Sequence, residues 1–268
     1  MTLITSTSNP RIKQIRKLRE RKEREACGCF YIEGLRVVTE AVQLGAEIET
    51  LLTSPELLTS DFGIELVEKQ RAAGVDVMEV SADVFRNFSH KEGPVGLAAI
   101  VRQRWTRLDD VSLKTGDLWV ALDSVADPGN LGTILRTNDA VGGKGVILLD
   151  QSTDPYDTTS ARASTGALFS QRLVRTTFAE FAAWKRSVDV PLIGTSGAAQ
   201  VDYHQTRYPD PMILISGSER MGLQEHHIQL CDGLVSIPMV GRSDSLNLAV
   251  ATAVVLYEIF NQRRDRHS

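Results

Sequence analysis

The feature that most constrains this chain is a regular succession of short apolar runs, each followed by a polar loop and a helical stretch. In the carboxyl-terminal half the runs fall at 118–122, Gly145–Leu149, 171–174, 191–194, Met212–Ser216 and 234–237. Helix-period segments lie between them, at 131–141 and 178–186 among others. Strands that are apolar on both faces and alternate with helices require a parallel sheet covered on both sides. The amino-terminal half repeats the alternation on a smaller scale. Runs at 30–32, 48–52, 75–80 and 96–101 read as strands. Val37, Val38, Ala41, Val42 and Leu44 at helical spacing, with segments 64–73 and Ala82–Phe88, read as helices. Segment 105–116 is polar, charged and without a period. The expected organisation is a small α/β domain over 1–104, a linker over 105–117 and a larger α/β domain over 118–268.

Segment 246–260 is apolar on nearly every side, Glu258 apart, with Ser245 placed to cap it. A helix of that kind is expected to be buried all round. It is shorter than the roughly 20 residues a bilayer requires, so it belongs in a protein core. Two polar loops, after Ser216 and after Pro238, crowd against its start. That is where a ligand is expected.

Composition excludes several classes. No stretch resembles a signal peptide or membrane span, so a cytoplasmic location is the default. Cys27, Cys29 and Cys231 are odd in number and lack metal-ligand spacing, so neither a disulfide framework nor a metal site is expected. His204, His226 and His227 have no recognisable partners, and surface positions are expected for them. The net charge of −4 argues against a globally basic nucleic-acid binder. Basic residues nevertheless cluster at Arg11, Lys13, Arg16, Lys17, Arg19, Arg21, Lys22 and Arg24, in a helix expected to begin at Pro10 with Ser8 or Asn9 as cap. Alone, that segment reads as a solvated surface helix; a patch of this kind also attracts phosphates.

Segment 123–140, DSVADPGNLGTILRTNDA, joins the first strand of the larger domain to its first helix. Pro128 and Gly129 shape the turn, and Asn130 is placed to satisfy free backbone groups at the helix start. Gly129 and Gly132 do not make the G-x-G-x-x-G fingerprint, which leaves a nicotinamide or flavin oxidoreductase a weak alternative. No G-x-S-x-G elbow supports a serine hydrolase. Arg162, Ser164, Thr165 and Gly166 form a second polar cluster, either a capped turn or a phosphate contact. Thr195, Ser196 and Gly197 follow a strand, where small residues admit a ligand close to the backbone. Glu219, Ser245 and Asn247 each have a purely structural reading, as ion-pair partner, helix cap and backbone acceptor. Their concentration in the same two loops favours a site.

In this order the segments resemble the SpoU branch of the SPOUT superfamily, the RNA ribose 2′-O-methyltransferases. The resemblance rests on 127–137 (DPGNLGTILRT), on 217–223 (GSERMGL), and on Ile237-Pro238 with Ser245, Leu246 and Asn247. It covers the carboxyl-terminal domain and extends less specifically to 30–38 (FYIEGLRVV), which is similar to an attached RNA-recognition domain. The resemblance implies a deep trefoil knot, a rare exception to unknotted topology. It also implies S-adenosylmethionine bound at Thr195, Gly217, Ile237 and Leu246, a homodimer, and no metal. Arg136 takes the central catalytic place, with Asn130 and Glu219 holding it and the loops, and Ser245 and Asn247 shaping the pocket. Because a guanidinium keeps its proton, stabilisation of a developing alkoxide is the expected role, worth about 3 kcal/mol. Arg11, Lys13, Arg36 and Arg162 are the expected RNA contacts. Ribosomal RNA is the expected substrate; transfer RNA, or a catalytically silent RNA-binding assembly protein, are the alternatives.

Overall fold

A computed structural model describes residues 3–90 and 92–266. The chain divides into two compact units. The first comprises Met1–Gln103 together with Asp154–Phe169, and the second Arg104–Thr153 with Ser170–Ser268.

The first unit runs α1 (Pro10–Lys17), α2 (Arg21–Cys27), β1 (Cys29–Glu33), α3 (Leu35–Gln43), β2 (Ile48–Thr53), α4 (Asp61–Ala72), β3 (Asp76–Glu79), α5 (Ala82–Phe88) and β4 (Leu97–Arg102). Its sheet has the order β1-β4-β2-β3. β4 is antiparallel to both neighbours, while β2 and β3 are parallel. Ile12 and Ile15 of α1 join Leu52, Met78, Phe85 and Phe88 in its core.

The expected single basic helix is broken at 18–20, and the reason is Arg24. This residue is only 2 % exposed. Its Nη1 donates to the carbonyls of Leu18 and Arg19, both at 2.8 Å, which satisfies the carboxyl end of α1. Its Nε donates to Asp154 Oδ2 at 2.8 Å, and its Nη2 lies 2.7 Å from the same oxygen. Arg24 is thus a buried structural cation and not part of a phosphate-attracting face. The same contact fastens Asp154–Phe169 to this unit, helped by Tyr156 and Phe169 packing on Phe30 with ring centroids 4.6 Å and 6.3 Å away. The fastened segment contains α7 (Thr158–Ala163) and most of α8 (Ala167–Ser170).

The second unit runs β5 (Leu118–Asp123), α6 (Pro128–Ala140), β6 (Gly145–Leu149), β7 (Arg172–Thr176), α9 (Phe178–Ser187), β8 (Leu192–Thr195), β9 (Met212–Ser216), α10 (Glu225–Ile228), β10 (Gly233–Val235) and α11 (Leu248–Arg266). The strands form one parallel sheet in the order β10-β8-β9-β5-β6-β7. Trp119, Ala121, Ile147, Val174, Ile213 and Ile215 point to one face and pack with Phe181 and Trp184 of α9. Their alternates Val120, Leu122, Val146, Leu148 and Leu214 are equally buried, as a sheet covered on both faces requires.

Segment 105–117, the expected linker, packs on this unit. Thr106 N–H donates to the Leu173 carbonyl at 2.7 Å, and Val111 is buried in the core beside Trp119. The last helix departs from expectation. It begins at Leu248, and Asn247 caps it, its Oδ1 accepting from Ala249 and Val250 N–H at 2.9 and 3.3 Å. Ser245 instead donates to Asp244. α11 packs against α6, and Val255, Leu256 and Ile259 are buried. Val250 and Tyr257 are about half exposed, so within one chain the helix keeps an uncovered apolar face.

Candidate active site

The register of the second sheet decides which loops meet. Leu122 of β5 pairs with Ser216 of β9, Ser216 with Thr195 of β8, and Thr195 with Val235 of β10. The carboxyl ends of four parallel strands therefore stand side by side. Ligands of open α/β sheets bind in that position.

A cavity of about 330 Å³ opens there. Thr195, Gly217, Ile237 and Leu246, the four residues expected to contact a cofactor, all line it, and Glu219 and Ser245 line it too. The loop after β9 is folded on itself. Gly222 N–H donates to the Ser218 carbonyl at 2.9 Å. A Cβ on Gly217 would lie 2.0 Å from the Gly222 carbonyl carbon, so only glycine permits this closure. Beneath the cavity a line of hydroxyls joins three elements. Thr195 donates to Ser216 at 3.1 Å, and Ser216 lies 3.2 Å from Thr252 Oγ1 on α11.

Glu219 is the hub of the polar network. Its Oε2 accepts from Ala126 N–H at 3.0 Å, and its Oε1 accepts from Asp127 N–H at 3.1 Å and from Asn130 Nδ2 at 3.0 Å. Asn247 Nδ2 donates to Asn130 Oδ1 at 2.9 Å. Burial works against ionisation of Glu219, but the hydrogen bonds from Ala126, Asn130 and Asp127 outweigh it and hold the carboxyl below the ordinary glutamate value.

The helix cap of α6 is Asp127, whose Oδ1 accepts from Asn130 N–H at 2.7 Å. Asn130 is thereby freed from the capping role expected of it, and its side chain bridges Glu219 and Asn247. Asp127 stands in the sequence reading only as the first residue of 127–137, with no role of its own, and Ser216 and Thr252 are not among the expected site residues. The Asp-Pro pair at a helix start marks the first, and isolated hydroxyls in apolar runs mark the other two.

Arg136 is not drawn into this cluster. It is exposed on α6 and does not line its own chain's cavity. The four expected RNA contacts all lie in the first unit. Arg11 pairs with Asp76, Lys13 is exposed and makes no ion pair among the described residues, and Arg36 pairs with Glu40 at 3.1 Å while 72 % exposed. Arg162 is exposed at a small cleft beside Glu33 and His90. His227 departs from its expected surface position. It is 1 % exposed, accepts from Gln224 N–H through Nδ1, and turns Nε2 toward Asp123 at 3.4 Å. Among the described residues no group of three or more acidic, histidine or cysteine side chains is arranged to hold a metal. Burial foremost pushes the thiols of Cys29 and Cys231 up to about 12.

A parallel α/β unit whose strand ends close a cavity with glycine-built loops and a braced carboxylate defines a ligand-binding domain of the enzyme type. Residues 117–257 match the SpoU rRNA Methylase family, and residues 9–99 match the MRM3-like substrate binding domain. The chain belongs to the SpoU family. It is 33% identical to a 23S rRNA (uridine(2479)-2′-O)-methyltransferase of Streptomyces viridochromogenes, over 96% of this chain and 92% of that one. Identity to the 23S rRNA (guanosine(2553)-2′-O)-methyltransferase RlmP of Bacillus subtilis is 28%, over 97% and 99%. The structure of an AdoMet-bound rRNA methyltransferase from Sinorhizobium meliloti superposes with a TM-score of 0.90 at 37% identity, covering 98% of both chains.

Proposed function

We propose that this chain is an S-adenosylmethionine-dependent RNA ribose 2′-O-methyltransferase whose substrate is ribosomal RNA. The observation that carries the reading is the meeting of Thr195, Gly217, Ile237 and Leu246 in one cavity at the strand ends. The names of the relatives and the AdoMet-bound neighbour support it.

The cavity fits such a cofactor. Its volume of about 330 Å³ falls within the roughly 300–1,000 Å³ of small-molecule sites. Val235, Ile237 and Leu246 offer apolar walls for a purine, and the carboxylates of Glu219 and Asp244 suit a cationic group. When bound, S-adenosylmethionine supplies a methyl group on a sulfonium centre for a ribose 2′-oxygen. Thr195, Gly217, Ile237 and Leu246 would hold it.

Glu219 braces the two loops that close the site, and Asn130 and Asn247 extend the brace to α6 and α11. Ser245 shapes the cavity wall. Arg136 stabilises negative charge on the attacking oxygen. Its exposure outside its own cavity, with the uncovered Val250 and Tyr257 of α11, supports a homodimer in which Arg136 serves a neighbouring copy. A deep trefoil knot belongs to the same reading. β10 lies at the sheet edge while α11 packs on α6 beyond two intervening strands, so the chain from 236 to 247 recrosses the strand ends. The first unit is the RNA-recognition domain, with Arg11, Lys13, Arg36 and Arg162 toward phosphates. Ribosomal RNA as substrate assigns the chain to the cytoplasm.

Calorimetry with S-adenosylmethionine, paired with ribose-methylation mapping of RNA from a deletion strain, tests the reading. A site that vanishes on deletion and returns with wild type but not with Arg136→Ala is the expected result. Unchanged methylation together with no cofactor binding would overturn it.

A further inference from the structure

A second cavity lies away from the strand ends. A groove of about 450 Å³ runs in the first unit between α1–α2 and the sheet. Ile15, Leu18, Met78 and Ile100 give it an apolar floor. Ile15, Leu18 and Met78 are themselves only 4–7 % exposed, and Ile100 is half-buried, so the slot is narrow and most of its open surface lies along its rim.

The walls carry unspent polar groups. Gln14 and Glu23 line the groove, and neither side chain is hydrogen-bonded among the described residues. Lys17 lines it as well, and Lys13, one turn earlier on α1, is exposed beside it. The other charges nearby are committed. Glu49 is held by Arg102, and Asp76, which also accepts from the Thr50 hydroxyl at 3.1 Å, is neutralised by Arg11, whose half-exposed side chain stays open to phosphates. The exposed charge left on the α1 rim is therefore cationic, above an apolar slot with one amide and one carboxylate able to read hydrogen bonds.

We propose that this groove takes an unstacked nucleobase from a single-stranded part of the RNA substrate, with Lys13 and Lys17 on the flanking phosphates. Resting on the RNA-methyltransferase reading, it adds where that RNA is read. A flat base with polar edges matches an apolar slot bearing Gln14 and Glu23, since proteins read RNA sequence chiefly on splayed-out bases. Two lysines one helical turn apart match a polyanionic backbone and supply affinity without sequence information. A protein segment of acidic and apolar character is the competing occupant.

Cys27 supplies the test, because it lines the groove and is exposed, whereas Cys29 is buried and Cys231 partly so, and burial raises both of their thiols. The full chain is alkylated with iodoacetamide with and without ribosomal RNA, and steady-state methylation is measured alongside for wild type, Gln14→Ala and the Lys13→Ala/Lys17→Ala double variant. The proposal expects RNA to slow Cys27 alkylation at least tenfold. It expects Gln14→Ala to raise KM for RNA about tenfold at unchanged S-adenosylmethionine affinity, and the double variant to flatten the salt dependence of RNA binding by about two charges. Wild type that methylates RNA while Cys27 stays fully reactive and KM is unmoved overturns the groove alone. Protection by a protein fraction and not by RNA overturns it in favour of the competing occupant. Wild type that neither methylates RNA nor binds S-adenosylmethionine overturns the underlying reading instead.

Discussion

Asn247 donates from Nδ2 to Asn130 Oδ1 across 2.9 Å, although 117 positions separate the two residues in sequence. The same Asn247 caps α11 through its other side-chain atom, so its amide orientation is fixed at both ends. Asn247→Ala is expected to remove a cap worth about 1 kcal/mol and to release Asn130 from one of its two anchors. The expected outcome is a modest fall in melting temperature with a fall in kcat/KM on the order of tenfold. Asn130→Ala removes both anchors and is expected to cost on the order of a hundredfold in kcat/KM. Thermal melts and steady-state methylation kinetics distinguish the two.

Glu219 accepts from three donors that no neutral side chain can match. Glu219→Gln would turn an NH2 toward either the Ala126 N–H or the Asp127 and Asn130 donors, and a donor facing a donor opens the loop. Because the folded-state pKa is depressed, the unfolded chain binds more protons than the folded one through this window, and stability rises with pH there. The contribution is complete above the ordinary glutamate value and is lost as pH falls through the lower, folded-state value. Cofactor affinity followed by calorimetry is expected to hold steady near neutrality and weaken in acid. Glu219→Gln is expected to weaken it at neutral pH and erase that acid limb. An acid limb of unchanged size in the variant would exclude Glu219 as its source.

Gly217 tests loop closure. A methyl group there meets the backbone of Gly222 and Leu223 at 2.0–2.4 Å, and backbone atoms at that range cannot give way without opening the loop. Gly217→Ala is expected to abolish measurable S-adenosylmethionine binding while leaving the sheet folded. Gly241→Ala meets nothing within 4 Å and is expected to stay within about 0.5 kcal/mol of wild type. Circular dichroism with calorimetry on both variants checks the contrast.

The elements that sequence made plain are those whose side chains face one environment. The runs around Val120, Ile147 and Leu214 are buried on both faces, and a β-branched apolar run leaves little choice but a central parallel strand. The loops after Ser216 and Pro238 were legible because glycine and polar residues interrupt those runs. Long-range pairing was not. Arg24 looks like every other cation in its run, and only Asp154, far along the chain, makes it a core residue that breaks the helix. Likewise Ser245 and Asn247 are both good caps by residue type, and Asn130 on α6 decides which one points inward.

Arg24 is therefore a stability determinant. Removing one partner of a buried, hydrogen-bonded ion pair leaves the other charge uncompensated, at a cost of about 3–5 kcal/mol. Arg24→Leu is expected to lower the melting temperature sharply. Arg24→Lys is expected to recover little, because an ammonium cannot reach two carbonyls and a carboxylate with a planar fork. Differential scanning calorimetry on both variants checks this; a lysine variant that melts with wild type would show that charge alone suffices.

Arg136 permits the most direct separation of arrangements. Within one chain it is exposed and outside the cavity that Gly217 helps to close. If the chain dimerises as proposed, co-expressed, differently tagged copies carrying Arg136→Ala in one and Gly217→Ala in the other co-purify as mixed dimers. If Arg136 serves the neighbouring copy, the intact cavity of the first copy receives the intact arginine of the second, and one working site per dimer is restored. If Arg136 serves its own chain, every site lacks either the guanidinium or the closed loop, and the mixed dimer is as inactive as either parent. The proposed homodimer expects restored methylation, measured against both parental variants purified in the same way, because the preorganised guanidinium and the closed loop then meet in one site although they come from different copies.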